Sequence, residues 1–198
     1  MTEKTILVVA TGNPGKVREM AAYLGSENGE WELRLKPEEM EVEETGATFM
    51  ENACLKAVAV ASATGEWAIA DDSGLEVEAL GGSPGVYSAR YGATDGERID
   101  RLLRELGSEE NRKARFVCAI AIARPDGVVA LQVEGTCHGE ILHTRQGTGG
   151  FGYDPIFYVP SIGKTFAEMT PEVKRHHSHR GEAFRLLLPQ IRSCRDDT

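Results

Sequence analysis

Apolar residues along the chain fall into short blocks whose internal spacing alternates between strand-like and helix-like. Thr5–Ala10 is a compact, β-branched apolar run and predicts a buried strand. A Gly/Pro stretch follows, and Val17, Met20, Ala21 and Leu24 then mark one face of a helix that stops at Gly25. Trp31–Lys36 alternates apolar and charged positions, as a half-exposed strand does. Thr48 with Glu51 forms a capping box ahead of an alanine-rich helix running to about Ala63. Trp67–Ala70 reads as a short strand ending at the polar Asp71-Asp72-Ser73-Gly74.

Residues 81–92, GGSPGVYSARYG, predict a loop, and Thr94 with Glu97 a second capping box. The helix it starts has Ile99, Leu102, Leu103 and Leu106 as its buried stripe. Arg115–Ala123 and Val128–His138 predict an antiparallel hairpin turning at Arg124-Pro125-Asp126-Gly127. After the glycine-rich Gly147–Asp154 come a brief strand, Ile156–Val159, and a closing helix with Phe184, Leu187, Leu188 and Ile191 on one face. Strand–helix units plus one long hairpin imply an α/β protein with a mixed sheet. With no repeat or linker, its 198 residues form one domain, 1–198.

Charge narrows the functional classes. Asp plus Glu outnumber Lys plus Arg by 31 to 22, and a net charge of −9 argues against a nucleic-acid-binding module. The cysteines, 54, 118, 137 and 194, lack redox or zinc spacing and read as reduced thiols. The apolar run near the N-terminus is too short for a signal segment or a membrane span, so a cytoplasmic protein is expected.

Four stretches carry chemistry. Thr11-Gly12-Asn13-Pro14-Gly15-Lys16 lies between a strand and a helix, where glycines, helix-start amides and a lysine suit an anion. It is not a Walker A loop, since Ala10 and Val17 stand where that pattern needs Gly and Ser or Thr. Glu43-Glu44-Thr45-Gly46 and Asp71-Asp72-Ser73-Gly74 offer the hard oxygens that Mg²⁺ prefers. Because neighbours on extended backbone point to opposite sides, only one of Asp71 and Asp72 is expected to reach the metal. Gly147–Asp154 ends in Phe151, Gly152, Tyr153 and Asp154, aromatics that can stack on a planar base and a carboxylate that can accept its ring N–H groups. The basic run 174–180 supplies Lys174 for a phosphate, and His179 and Arg180 as donors to a carbonyl-bearing base. Each stretch also has a purely structural reading: a βα turn, a polar turn, a loop pinned by aromatics, a solvated charged surface.

In order, TGNPGK (11–16), EETG (43–46), FMENACLKA (49–57), ADDSGLEVEALGGSPGVYSARY (70–91), GTGGFGYDPIF (147–157) and KRHHSHRGEA (174–183) resemble the inosine/xanthosine triphosphate pyrophosphatase family over nearly the whole chain. That resemblance implies an elongated α/β fold of two lobes around a long mixed β-sheet, with the active site in the cleft between them, and a homodimer. It implies Mg²⁺-dependent hydrolysis of ITP, dITP or XTP to the monophosphate and pyrophosphate. Asp72 would be the catalytic group and a metal ligand, Glu44 the second ligand, and Thr11 to Lys16 the triphosphate loop, with Lys56 near the phosphates. Ser73, Phe151, Gly152, Tyr153, Asp154, Lys174, His179 and Arg180 match its substrate-contact positions. His177, where the family usually has an apolar residue, is a departure that bears on local packing. A kinase or nucleotidyltransferase, a non-catalytic nucleotide sensor and an RNA-binding module are the competing readings.

Overall fold

The computed structural model describes residues 4–25 and 31–194. Its elements are β1 (Thr5–Val9), α1 (Pro14–Leu24), β2 (Trp31–Leu35), α2 (Phe49–Thr64), β3 (Trp67–Val77), α3 (Asp95–Leu106), β4 (Lys113–Ala123), β5 (Val129–Ile141), β6 (Phe157–Val159), β7 (Lys164–Thr165), α4 (Pro171–His177) and α5 (His179–Cys194). Seven strands hydrogen-bond in the order β2-β1-β3-β4-β5-β6-β7. β1 pairs in parallel with β2 and β3, whereas β5–β6 and β6–β7 are antiparallel, so the sheet is mixed as its pattern predicts.

Two compact units divide the chain. Residues 1–72, 119–134 and 183–198 form the first, and 73–118 and 135–182 the second. The first unit buries Leu7, Val8 and Val9 of β1, as a parallel strand flanked on both sides requires. Ala53, Ala57 and Ala61, four residues apart on α2, are fully buried, and their small side chains let the helix lie close to its neighbours. Tyr23 stacks on Phe184 with ring centres 4.3 Å apart, and Trp31 meets Trp67 edge-on. The second unit packs Leu75, Ile99, Leu102, Phe116, Ile141, Tyr153, Phe157 and Phe166 into one core.

Some boundaries differ from expectation. The third strand does not stop at Asp71: β3 runs eleven residues through Asp71-Asp72-Ser73-Gly74 to Val77. Hydropathy alone sees a polar break there, but Asp71 and Asp72 are buried against cations and Asn52, so the backbone stays in the sheet. The predicted loop 81–92 contains a 3₁₀ turn at Gly85–Arg90, and another, Glu78–Leu80, precedes it. The second capping box is half made: Thr94 accepts from the Glu97 amide, but Glu97 accepts from the Ala93 amide, one residue before the cap.

Candidate active site

In the first unit the glycine-rich loop acts chiefly on itself. α1 begins at Pro14, three residues before the periodicity suggests, because Asn13 is its cap: Asn13 Oδ1 accepts from the Gly15 and Lys16 amides at 2.8 and 3.3 Å. The Asn13 amide donates to Thr11 Oγ1 at 3.2 Å, and Pro14 has no N–H. The expected cradle of loop amides is therefore corrected. The amides of 13, 15 and 16 already have intramolecular acceptors, and the cation that the loop presents is Lys16. Lys16 Nζ pairs with Asp71 Oδ2 at 3.1 Å. A Cβ on Gly12 would meet nothing within 4 Å.

The acidic stretches converge on Lys56. Its Nζ lies 2.6 Å from Glu44 Oε1 and 3.6 Å from Asp72 Oδ1. Asp71 and Asp72 lie nearest to different lysines, Lys16 for one and Lys56 for the other. Burial alone would lower the Lys56 pKa, but the charges of Asp72 and Asp71 and the Glu44 contact outweigh it and hold the ammonium above its ordinary value. Asp72 moves up from the usual aspartate value of 3.8, because desolvation exceeds the help it receives from Lys56, Lys16 and Asn52.

Asn52 is the residue that the sequence reading missed. It is fully buried on α2, its Nδ2 donates to Asp72 Oδ2 at 3.1 Å and its Oδ1 accepts from the Gly46 amide at 2.8 Å. One side chain thus ties Asp72 to the segment that carries Glu44. The available signal was a polar pair, Asn52 and Lys56, spaced i,i+4 on an otherwise alanine-lined helix. The Thr48–Glu51 capping box fixes the same segment, with Glu51 Oε2 accepting from the Ala47 and Thr48 amides at 2.6 and 3.1 Å.

In the second unit, Ser178 opens α5 by accepting from the Gly181 amide at 3.1 Å, which sets His179 and Arg180 in the first turn. Arg180 is 1% exposed, and its Nη2 donates to Ser73 Oγ at 3.1 Å. His179 lies nearly parallel to Phe116, ring centres 4.7 Å apart, with Phe166 beyond. His177 is exposed at the end of α4, so the departure there displaces no packing.

Three expectations change here. Lys174 is buried, with its Nζ 2.6 Å from Asp154 Oδ2 and 4.9 Å from the Phe151 ring centre. It is the partner of Asp154 rather than an exposed phosphate clamp, because a buried cation needs an anion beside it. Asp154 in turn accepts from the Phe151 amide at 2.9 Å. Tyr153 is a core residue, not a stacking surface: its hydroxyl donates to the Ser88 carbonyl at 2.9 Å, and burial pushes its pKa far up. The Gly152 amide is held by Asp95 Oδ2 at 2.7 Å. Phe151, half-buried, remains the aromatic able to offer a face.

Among the described residues, no group of three or more His, Cys, Asp or Glu side chains is arranged to hold a metal, and no helix is long and apolar enough to cross a membrane.

The chain is similar to known proteins over nearly its whole length. The sequence profile of the Ham1 family matches residues 7–190. A dITP/XTP pyrophosphatase of Nostoc sp. is 70% identical over 94% of each chain, and one of Synechocystis sp. is 59% identical over 93% of this chain and 94% of its own. The structure of the Staphylococcus aureus Ham1 protein superposes with a TM-score of 0.86 at 42% identity, covering 96% of this chain and 99% of the other.

Proposed function

The chain belongs to the Ham1 family, and from that premise we infer that it is a hydrolase of non-standard purine nucleoside triphosphates. It converts dITP, ITP and XTP to the nucleoside monophosphate and pyrophosphate, and so removes them from the nucleotide pool. The observation that carries this reading is the Glu44–Lys56–Asp72–Asn52 group: a buried carboxylate, oriented by an amide, beside a lysine and a second carboxylate.

The donor set fits Mg²⁺ held by Asp72 and Glu44. Two carboxylates suffice for this ion when substrate phosphates and water fill its other positions, and no closed protein cage is needed. When bound, the ion neutralises phosphate charge and acidifies water.

Asp72 accepts the proton of the water that attacks the α-phosphorus. Asn52 keeps one Asp72 oxygen directed while Lys56 faces the other. Lys16 and Lys56 stabilise charge on the phosphate chain and on departing pyrophosphate. Thr11 to Gly15 set the start of α1 and so the root of Lys16.

In the second unit, Phe151 offers a ring face to the base, and Asp154 with Lys174 supports that loop. Arg180, held by Ser73, and His179 donate to the 6-oxo group of hypoxanthine or xanthine. Adenine presents an amino donor at that position, and a hydrogen-bonding site rejects such a mismatch by as much as about 10⁴-fold. The reading includes one catalytic domain, in keeping with the family match over residues 7–190, a homodimer, which the family resemblance implies, and a cytoplasmic location, which the short apolar N-terminal run suggests.

The test is pyrophosphate release from ITP, XTP, dITP, GTP and ATP with Mg²⁺ and no acceptor. Release from the first three supports hydrolysis. A kinase or nucleotidyltransferase would stay silent without an acceptor, and a sensor would bind and release nothing.

A further inference from the structure

The ring assigned to the base stands on a backbone with little stiffness of its own. Phe151 lies between Gly150 at φ +74° and Gly152 at φ +61°, two residues with no Cβ to narrow their torsions. A turn bond from the Asp154 amide to the Phe151 carbonyl, 3.3 Å, closes this stretch, and two carboxylates add to it. On one side, the Phe151 amide donates to Asp154 Oδ2 at 2.9 Å. On the other, the Gly152 amide donates to Asp95 Oδ2 at 2.7 Å. Carboxylates thus grip the peptide groups on both sides of Phe151.

Asp154 belongs to the same loop, but Asp95 is the first residue of α3, 57 positions away in the chain. Its other oxygen accepts from Arg98 Nη1 at 2.7 Å, and Arg98 Nε donates to the Gly92 carbonyl at 3.0 Å, so the carboxylate is itself held. Arg145 ties the chain just before the loop to the same helix, through the Gly96 carbonyl at 3.1 Å and Asp100 at 2.7 Å.

We propose that Asp95 is a positioning residue for base recognition, acting through the Gly152 amide on the Phe151 ring. The proposal rests on the reading of Phe151 as the surface that meets the base. A hydrogen bond to an ionised carboxylate is stronger than a neutral one, and here it adds an anchor from a distant helix to a glycine otherwise held only by the 151–154 turn. Without it, the base must order the loop as it binds, which weakens affinity and leaves the phosphate chemistry untouched.

The experiment compares Asp95→Ala, which removes the acceptor, with Asp95→Asn, which keeps an acceptor oxygen and loses the charge. Asp95→Ala is expected to raise KM for dITP about tenfold with kcat within about twofold of wild type. In the ligand-free protein, exchange of the Gly152 amide with D₂O, followed by NMR, should speed up by about tenfold or more. Asp95→Asn, with one acceptor oxygen in place of two and no charge, should return part of both effects. Wild-type KM and exchange in Asp95→Ala, or an Asp95→Asn variant as impaired as Asp95→Ala, overturns the proposal. A wild-type chain that leaves dITP intact overturns the substrate reading alone, and the exchange rates then decide whether Asp95 holds the loop.

Discussion

Asp71 and Asp72 differ little in burial and greatly in circumstance. Asp71 has Lys16 at 3.1 Å, whereas Asp72 has Lys56 at 3.6 Å and an amide from Asn52, and burial holds its pKa above 3.8. A raised carboxyl pKa means that the fold disfavours the charge. The destabilisation is absent below the unfolded pKa and complete above the folded one, so stability contributed at this position falls as pH rises through that window. Asp72→Asn removes the charge in a nearly isosteric way. It should lower kcat by about 10²–10⁴-fold, as loss of a general base does. In metal-free buffer at neutral pH it should also raise the melting temperature, through a gain of about 0.5–2 kcal/mol. Thermal melts beside turnover assays check both; a variant that melts lower than wild type would contradict the electrostatic account. Because the base works ionised, kcat/KM should decline as pH falls, and a pH–rate profile measures it. Asn52 shows why one member of this group escaped the sequence reading. An asparagine within a helix offers no charge, and although Asn52 lies in the FMENACLKA stretch, only the fold reveals that its two ends meet Gly46 and Asp72.

At the scale of elements, the stretch from Glu44 to the start of α2 works as a fitted part. Gly46 has no room for a side chain: an added Cβ would lie 2.7 Å from both Asn52 Oδ1 and Glu51 Cβ. Gly46→Ala should therefore displace Asn52 and lower kcat by roughly tenfold or more, since small misplacements near the chemistry are costly. Gly12→Ala, where a Cβ meets nothing within 4 Å, should leave the melting temperature unchanged. Steady-state kinetics and melts on the two variants separate these outcomes. Thr48→Ala removes the acceptor for the Glu51 amide and should cost about 1 kcal/mol, a fall of about 2–4 °C in melting temperature. Elements built on periodicity or capping were legible in the sequence: α2 with its capping box, the stripe of α3, and the β4–β5 hairpin. Those that depend on distant partners were not. β3 continues through two aspartates because lysines from elsewhere neutralise them, and the two-residue β7 exists only by pairing with β6. Likewise the run 174–180 reads as a basic surface, yet Lys174, His179 and Arg180 are buried, each for a reason that lies outside the run.

For the molecule as a whole, the two kinds of recognition are assigned to different stretches of chain. Lys16, Glu44, Asn52, Lys56 and Asp72 belong to the first unit, and Phe151, Asp154, Lys174, His179 and Arg180 to the second. The chain passes from one unit to the other between Asp72 and Ser73, so the proposed base and the serine that holds Arg180 are consecutive residues. A net charge of −9 accompanies this arrangement: the cations that matter are few and each is paired with a carboxylate or fixed by a hydrogen bond. The central claim is hydrolysis at the α-phosphorus with selection for an oxo-purine. The most direct measurement is one reaction in ¹⁸O-water with Mg²⁺ and equal dITP and dATP, its products read by mass spectrometry. The account predicts one ¹⁸O in dIMP, unlabelled pyrophosphate and surviving dATP. Label in the released pyrophosphate or in orthophosphate, or consumption of dATP at the rate of dITP, would contradict it.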